Sequence, residues 1–242
     1  MWQALKQGLT DIFYPKVCLT CGDSLSRKPA KDQFVCLECW GKIKINTPPF
    51  CHFCGRKLDR IRIAKHLCRA CLKKHVSFDR AFCPCEYSGV LKDLIHAFKY
   101  QGKDYLGEPL STLMINHIKE YNLPIQYLDA IVPVPLHSAK LREREFNQAA
   151  VLSHCIGKAF NKQVADQVLI RNRPTKTQTD LTPCERTENV RESFSVVHQD
   201  AIRQKHLLLV DDVLTTAATS SEAAGALKRA GAGMVFVLAL AN

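Results

Sequence analysis

The chain has 242 residues, of which 46% are hydrophobic and 24% charged, and this composition allows a full hydrophobic core and excludes a disordered or collagen-like polypeptide. No stretch approaches the roughly 18 apolar residues of a membrane-spanning helix, and the N-terminus lacks the apolar run and cleavage site of a signal peptide. We therefore expect a cytoplasmic protein of net charge +11, in which the spacing of twelve cysteines favours metal ligation or catalysis over disulfides.

Cysteine content and charge both divide the chain near residue 80. Ten of the twelve cysteines lie between Cys18 and Cys85. Residues 1–80 carry 16 Lys and Arg against 6 Asp and Glu, a net charge of +10, whereas residues 81–242 carry 18 against 17, a net charge of +1. We therefore predict a small N-terminal module over residues 1–80 and a larger domain over residues 81–242.

Four Cys-x-x-Cys pairs occupy the N-terminal module. They are Cys18 with Cys21, Cys36 with Cys39, Cys51 with Cys54, and Cys68 with Cys71. Two such pairs supply the four thiolates of a tetrahedral zinc site, and Gly22 and Gly55 each follow a second cysteine, where a tight knuckle needs positive φ. We predict a double zinc ribbon with two structural Zn²⁺ ions, one on the first two pairs and one on the last two. A crossed arrangement, an iron–sulfur cluster and reduced core cysteines are the alternatives.

Bound zinc leaves this module basic. Two Zn²⁺ ions with eight thiolates add about −4, so the module keeps a charge of about +6. Basic residues interspersed near Phe50 and Phe53 could follow the backbone of a single-stranded nucleic acid, and a solubilising surface is the alternative. These basic residues are Arg56, Lys57, Arg60, Arg62, Lys65 and Arg69.

The larger domain alternates helical and strand patterns. Helices are predicted over residues 88–98, 111–121, 147–160 and 220–230, and strands over residues 130–135, 207–210 and 234–240. This alternation is typical of an α/β domain and predicts a parallel, doubly wound sheet flanked by helices. Residues 171–191 are polar, contain two prolines and lack periodicity, which predicts a mobile loop.

Four basic side chains that follow the strand at 130–135 are the first candidates, in chain order, to bind an anion. They are His137, Lys140, Arg142 and Arg144. Such a cluster could face a diphosphate leaving group, and a solvated basic helix start is the alternative.

The segment 207–219, LLLVDDVLTTAAT, joins a buried strand to a helix through two aspartates and three threonines. They are Asp211, Asp212, Thr215, Thr216 and Thr219. Ligands of α/β sheets bind at the carboxyl ends of strands, where helix N-terminal amides and hydroxyls suit a phosphomonoester. Adjacent carboxylates suit ribose hydroxyls or Mg²⁺. The segment therefore predicts a sugar-phosphate site, with a capped helix after a buried strand as the alternative.

The same segment resembles the signature of type I phosphoribosyltransferases, which bind 5-phosphoribosyl 1-diphosphate with Mg²⁺. The resemblance implies that Asp211 and Asp212 hold the ribose hydroxyls as catalytic residues, that the basic residues hold the diphosphate and that the 171–191 loop closes over the site. The turn that would wrap the 5′-phosphate consists of Leu214, Thr215, Thr216, Ala217, Ala218 and Thr219. Ala217 departs from the family pattern, because Gly is commonest there.

Further stretches resemble the ComF/GntX family of competence-associated phosphoribosyltransferase-like proteins, which also carry an N-terminal double zinc ribbon. They are residues 133–137, 141–149, 171–178 and 186–194. Glu145 stands where that family usually has a small residue before Phe146. The resemblance implies a type I phosphoribosyltransferase-like fold and a role in the uptake of transforming DNA beside a DNA-translocating ATPase.

Two functions follow from these residues and resemblances. The first is a competence-associated protein that binds 5-phosphoribosyl 1-diphosphate and single-stranded DNA. The second is an active phosphoribosyltransferase of nucleotide metabolism that acts on an unidentified nitrogen acceptor, with Lys99, Tyr100 and Tyr105 as candidates to line the acceptor site. The four serial Cys-x-x-Cys pairs argue against redox chemistry, and no glycine-rich nicotinamide or P-loop motif occurs.

Overall fold

The structure is a computed structural model that describes residues 16–26, 29, 32–58, 66–69, 71–72, 75–173 and 192–242. Arg60, Arg62 and Lys65 of the expected basic face lie outside these residues, as does the 174–191 part of the expected loop. Among the helices in the described ranges, none has both the length and the hydropathy that crossing a membrane requires.

The larger domain is built on a parallel sheet of four strands. The strands of the described residues are β1 (Arg80–Phe82), β2 (Ala130–Pro133), β3 (Leu169–Arg171), β4 (Phe194–Val196), β5 (Leu207–Val213) and β6 (Val235–Ala241). The parallel sheet has the order β1-β6-β5-β2, and Leu208 of β5 lies between Ile131 and Phe236 in the register. β3 and β4 form a separate antiparallel pair.

Helices cover both faces of the parallel sheet. The helices of the described residues are α1 (Leu37–Gly41), α2 (Gly89–Tyr100), α3 (Gly107–Glu120), α4 (Ser138–Arg144), α5 (Gln148–Phe160) and α6 (Ala218–Arg229), of which α2, α3, α5 and α6 pack on the sheet. Leu208 belongs to the hydrophobic cluster of α2, α3 and α5, whereas Leu209 belongs to the cluster of α6 and the β3–β4 pair. Successive residues of a strand point to opposite faces, so the continuous apolar run of β5 is buried on both sides. The expected fold class, a parallel sheet flanked by helices after a small cysteine-rich module, is confirmed.

The predicted elements of the larger domain are present with shifted ends. α3 begins at Gly107, four residues before the predicted start, because a 3₁₀ turn over Asp104–Leu106 leads directly into it. The basic segment after β2, expected as a loop and a helix start, is the seven-residue helix α4. The loop expected over 171–191 begins inside β3. The short strand β1 had no clear sequence signal, because three residues cannot establish a periodicity.

The cysteine-rich segment packs against the larger domain. Cys18, Cys36 and Cys39 share a hydrophobic cluster with Phe98 and Leu106. At the other end of the segment, the Asn46 side chain donates a hydrogen bond to the carbonyl oxygen of Cys83 at 3.0 Å. These contacts place the segment along one side and one edge of the sheet domain.

Candidate metal centres and ligand cleft

The eight cysteines of the Cys-x-x-Cys pairs form two separate groups in space. The first four-cysteine group is Cys18, Cys21, Cys36 and Cys39, and the second four-cysteine group is Cys51, Cys54, Cys68 and Cys71. Within each group the sulfur atoms lie within 4.8 Å of one another. The Sγ atoms of Cys21 and Cys36 are 3.8 Å apart, and those of Cys54 and Cys68 are 3.7 Å apart. Zn–S bonds of about 2.3 Å in a tetrahedron require a sulfur separation of about 3.8 Å. The two groups therefore fit two structural zinc ions, in the local rather than the crossed pairing.

Backbone geometry favours thiolates in both groups. Gly22 and Gly55 adopt φ values of +75° and +67°, as the knuckle requires. The amide of Cys36 donates to the Cys18 sulfur at 3.4 Å, and the amide of Cys68 donates to the Cys51 sulfur at 3.3 Å. Amide donors stabilise the charged form of sulfur, which is the form that binds zinc.

Cys83 and Cys85 differ from these ligand cysteines, because both are buried in the hydrophobic core. Burial raises the pKa of the Cys85 thiol to about 12, and it also raises the pKa of Cys83. Neutral thiols in the core act as small hydrophobic side chains. Their structural role agrees with the break in the Cys-x-x-Cys spacing.

A cleft of about 450 Å³ opens at the carboxyl ends of β2 and β5. Six of the predicted site residues line it, namely Lys140, Arg144, Asp211, Asp212, Thr215 and Thr219. Pockets of this size accommodate small-molecule ligands. The topology thus brings the aspartates, two threonines and two basic residues together from segments that are far apart in the sequence.

The remaining predicted site residues lie around this cleft rather than in its wall. Leu214 and Ala217 are buried in the core, and Thr216 and Ala217 line a smaller cavity beside the turn. The Nδ1 atom of His137 accepts a hydrogen bond from the amide of Ala139 at 3.2 Å, so the imidazole caps α4. Arg142 is exposed, and Ala218 begins α6.

The two aspartates have different partners. The Nζ atom of Lys99 donates to Oδ1 of Asp212 at 2.8 Å, and both side chains are only about 15% exposed. Asp211 accepts hydrogen bonds from the Ser220 hydroxyl at 2.9 Å and from the amide of Asp212 at 2.9 Å. The acidic pair is therefore held rigidly at the end of β5, in a position to accept hydrogen bonds from hydroxyl groups.

Burial controls the protonation of this pair. Burial first, and the adjacent charge of Asp212 second, raise the pKa of Asp211 to about 6. Burial would lower the pKa of Lys99, but the contact with Asp212 outweighs it and the pKa is raised. Near neutral pH the site therefore holds an ion pair beside a carboxylate whose charge is only weakly maintained. No sequence pattern indicates the contact between Lys99 and Asp212, because 113 residues separate the two side chains.

Three cations contribute to the wall of the cleft. Lys140, Arg144 and Arg171 line it, and burial followed by the positive charges of Arg171 and Arg144 lowers the pKa of Lys140. The guanidinium of Arg144 lies 4.8 Å from the ring centroid of Tyr100 and donates to its hydroxyl at 3.1 Å. Positive groups that depress one another's pKa are stabilised by a bound anion. This wall therefore suits a diphosphate.

The candidate acceptor residues do not lie together. Lys99 and Tyr100 line the cleft, but the ring of Tyr105 packs 4.2 Å from the ring of Phe34 on a different surface. The structure adds Tyr87, Lys92 and His96 to the cleft wall, with the His96 and Tyr100 rings 4.9 Å apart. Sequence reasoning missed these residues because their motif-free positions around α2 carry no signal of a shared face with the β5 turn.

Two residues at the ends of the site adopt left-handed backbone conformations. Glu145, at the end of α4, has φ +67°, and Ala217, before α6, has φ +65°. Glycine adopts this conformation at little cost, whereas other L-residues lose about 1–2 kcal/mol. Both are the positions at which the sequence departs from the small or glycine residue of the families it resembles. At both positions the main consequence of a residue other than glycine is therefore backbone strain.

The aromatic residues of the expected nucleic-acid face point toward the protein. The Phe50 ring lies 5.5 Å from that of His117 and 5.0 Å from that of Tyr121, both on or just after α3. Phe53 lines the smaller cavity beside the β5 turn. Arg56, Lys57 and Arg69 are exposed. In the described part of this face, the basic side chains are therefore exposed, whereas the aromatic rings pack against the larger domain.

Comparison with known proteins identifies relatives along most of the chain. Residues 9–72 match the family described as Double zinc ribbon domain. Competence protein F of Haemophilus influenzae is 29% identical over 225 residues, which cover 86% of this chain and 97% of that protein. DNA utilization protein YhgH of Escherichia coli is 30% identical over 175 residues, covering 72% and 76%. Competence protein ComFC of Bacillus subtilis is 25% identical over 236 residues, covering 89% and 90%.

Two solved structures are also similar to this chain. One is the allosteric regulatory enzyme of purine biosynthesis, with 22% identity and a TM-score of 0.35 over 58% of this chain and 25% of that one. The other is glutamine phosphoribosylpyrophosphate amidotransferase from B. subtilis in complex with ADP and GMP, with 22% identity and a TM-score of 0.36 over 58% and 26%.

Proposed function

The chain belongs to the family of competence protein F and DNA utilization protein YhgH, and from this premise we propose that it is a competence-associated protein that binds 5-phosphoribosyl 1-diphosphate in the cleft. The observation that carries the proposal is the set of chemical groups that line one pocket. Threonine hydroxyls beside a helix N-terminus, the carboxylates of Asp211 and Asp212, and the three cations all belong to its wall. A phosphorylated pentose with a diphosphate at C1 presents complementary groups.

The ion pair at Asp212 determines how magnesium takes part. Lys99 already neutralises one of the two carboxylates and the other has a raised pKa, so the pair is a poor site for a cation of its own and a good acceptor for ribose hydroxyls. Magnesium enters in this proposal as the complex with the ligand's diphosphate, where it neutralises phosphate charge. Lys140 and Arg144 neutralise the remaining charge.

Binding is tested by calorimetry with 5-phosphoribosyl 1-diphosphate and Mg²⁺ on the zinc-loaded protein. We expect binding by the wild type and a loss of at least tenfold in the variant with Asp211→Asn and Asp212→Asn, because ribose hydroxyls then lose charged acceptors. Asp200→Asn, on an exposed 3₁₀ turn, is the matched control. Absence of binding by the wild type, or equal binding by the double variant, would contradict the proposal.

A second candidate function is phosphoribosyl transfer, which the aromatic wall of the cleft favours. Tyr87, His96 and Tyr100 line the cleft with Lys99. A planar nitrogen base could stack there while its lone pair forms a bond to C1, and the bond from C1 to the diphosphate oxygen breaks with its electrons on the leaving diphosphate. Release of diphosphate in a coupled assay with nucleobases would support transfer. Binding of the ligand without release of diphosphate for any acceptor would contradict transfer and favour a protein that only binds the ligand.

The ribbon module is proposed to bind single-stranded DNA by charge. Residues 1–80 would form this module and residues 81–242 the ligand domain, with a DNA-translocating ATPase as partner in DNA uptake. Since eight thiolates require a reducing compartment, the proposal places the protein in the cytoplasm. Binding of labelled single strands should weaken steeply with salt and be reduced by reversing the charges of Arg56, Lys57 and Arg69. Binding that is absent at low salt would contradict it.

A further inference from the structure

The second four-cysteine group lies at the same edge of the sheet as the ligand cleft. Cys54 packs against the hydrophobic cluster that contains Leu214 and Ala217 of the turn after β5. A small cavity is enclosed between the ribbon and that turn. Its wall consists of Phe53, Cys54, Arg56, Cys68, Cys71, Val76, Phe78, Thr215, Thr216 and Ala217. The metal ligands themselves thus face the turn that is proposed to wrap the 5′-phosphate.

The knuckle of this group is fixed to the ends of the sheet strands. The Asn242 side chain, directly after β6, donates to the carbonyl oxygen of Cys54 at 2.7 Å. Gly55 approaches the chain after β1 so closely that an added Cβ would lie 2.6 Å from the amide nitrogen of Cys83. A side chain at residue 55 is therefore excluded both by this contact and by its positive φ. The position of Arg56, the next residue, is determined by this docking.

The segment after the last cysteine is joined to the same turn. The amide of Ser77 donates to the hydroxyl of Ser221 in α6 at 2.9 Å, and Val76 and Phe78 beside it line the small cavity. The ribbon is thus held at two points, one on the strand ends and one on the helix that follows the turn. Such a connection keeps the ribbon and the turn in a fixed relation.

Arg56 lies where this arrangement meets the ligand cleft. It shares the small cavity with Thr215, and Thr215 also lines the cleft, so this threonine belongs to the walls of both spaces. Arg56 is exposed, and among the described residues no carboxylate forms an ion pair with it. A guanidinium offers a fork of donors that suits phosphate oxygens, and a hydroxyl-rich turn at a helix N-terminus offers further donors.

We propose that Arg56 of the second zinc ribbon is a further phosphate-binding residue, which contacts the 5′-phosphate of a phosphorylated pentose over Thr215. The inference rests on the proposed function, since it needs the sugar phosphate in the cleft. It assigns the second ribbon a direct part in ligand binding: zinc fixes the knuckle, the knuckle fixes Arg56, and Arg56 completes a phosphate site whose other donors come from the β5 turn.

The test compares Arg56→Met with Lys57→Met in the full zinc-loaded chain. Lys57 is the matched control, because it is the adjacent exposed cation and lies outside both cavity walls. Calorimetry uses ribose 5-phosphate, 5-phosphoribosyl 1-diphosphate with Mg²⁺, and diphosphate with Mg²⁺ at constant ionic strength. Zinc content is measured for each variant, so that a ribbon that has lost its metal is recognised.

We expect Arg56→Met to lower the affinity for both ribose phosphates about tenfold, because one charge-assisted hydrogen bond to an exposed group is lost. Diphosphate alone should bind Arg56→Met as it binds the wild type, because its site is the Lys140 and Arg144 wall. Arg56→Lys should restore part of the affinity for the ribose phosphates. Lys57→Met should bind all three ligands with the affinity of the wild type.

The outcomes separate this inference from the proposed function. If the wild type binds ribose 5-phosphate and Arg56→Met, with full zinc content, binds it equally well, Arg56 has no such role and the cleft proposal still stands. An equal loss in Lys57→Met would show general electrostatic attraction and would also overturn the inference. If the wild type binds neither ribose phosphate, the proposed function fails and this inference fails with it.

Discussion

The two four-cysteine groups have the same ligands and the same knuckles but different surroundings. The first packs into the main hydrophobic cluster beside Phe98 and Leu106. The second forms a small cluster around Cys51, Leu58 and Cys71 and faces the turn after β5. Because the chemistry of the sites is equal, the difference in their consequences must come from what each one contacts. The first should act on the stability of the whole chain, and the second on the ligand site.

The largest test of this comparison removes one ligand from each group. Cys18→Ser should lower the melting temperature of the whole domain, because its metal supports part of the shared core. Cys51→Ser should cost less stability but weaken binding of ribose 5-phosphate at least tenfold, because the knuckle that positions Arg56 loses its metal. Each variant removes one of the four thiolates of its site, so each should lose about one zinc ion. Structural zinc contributes on the order of 10 kcal/mol to the stability of its own module.

Zinc content, thermal unfolding and calorimetry on the same preparations check this prediction. We expect the larger loss of stability in Cys18→Ser and the larger loss of binding in Cys51→Ser. The same losses in both variants would mean that the two groups form one cooperative unit, and the comparison would be wrong.

A smaller effect is expected from the ion pair in the cleft, on the ligand side of the second group. Lys99→Met leaves Asp212 without its cation at a site that is only about 15% exposed. Removing one partner of a buried pair costs about 3–5 kcal/mol, and the residual exposure here puts our expectation at about 3 kcal/mol. Urea unfolding measures the loss. Lys228→Met, whose pair with Asp79 is about one-third exposed, should cost less than about 1 kcal/mol.

Asp211 predicts a pH dependence in the same region. Its pKa in the folded chain is raised to about 6 from an ordinary value of 3.8, so the folded state holds this proton more tightly than the unfolded state. The associated stability is fully present below pH 4 and is lost as the pH rises through 6, by about 2–3 kcal/mol in total. Asp211→Asn should remove this part of the slope between pH 4 and 6. An unchanged slope in urea unfolding of that variant would refute the assignment.

Sequence patterns predicted the parts of this molecule that are local. The Cys-x-x-Cys spacing identified both metal groups, and the LLLVDDVLTTAAT segment placed the aspartates and the turn at a strand end. Contacts between distant segments left no pattern, as in the ion pair of Lys99 with Asp212 and the cavity shared by Arg56 and Thr215. Tyr105 was a candidate to line the acceptor site, but it lies in the 3₁₀ turn before α3 and its ring packs against Phe34.

The smallest prediction concerns the two left-handed residues, Glu145 and Ala217. Glu145→Gly removes about 1–2 kcal/mol of backbone strain, but the greater conformational entropy of glycine stabilises the unfolded state by about 0.5–1 kcal/mol, so a net stabilisation of up to about 1.5 kcal/mol is expected. Ala217→Gly removes the same strain but also a buried methyl group worth about 0.8 kcal/mol, so its net effect should be close to zero.

The difference between these two glycine variants reports on the second four-cysteine group. The methyl group of Ala217 belongs to the sheet-domain cluster and also to the cavity wall shared with Phe53, so the docked ribbon contributes part of its burial. If zinc holds the ribbon there, removing zinc with a chelator should increase the exposure of that methyl group and bring the stabilisation by Ala217→Gly closer to that by Glu145→Gly. Urea unfolding of both variants with and without zinc measures this. An Ala217→Gly effect that does not depend on zinc would mean that the turn keeps its packing without the ribbon, and the second group would then have no hold on the ligand site.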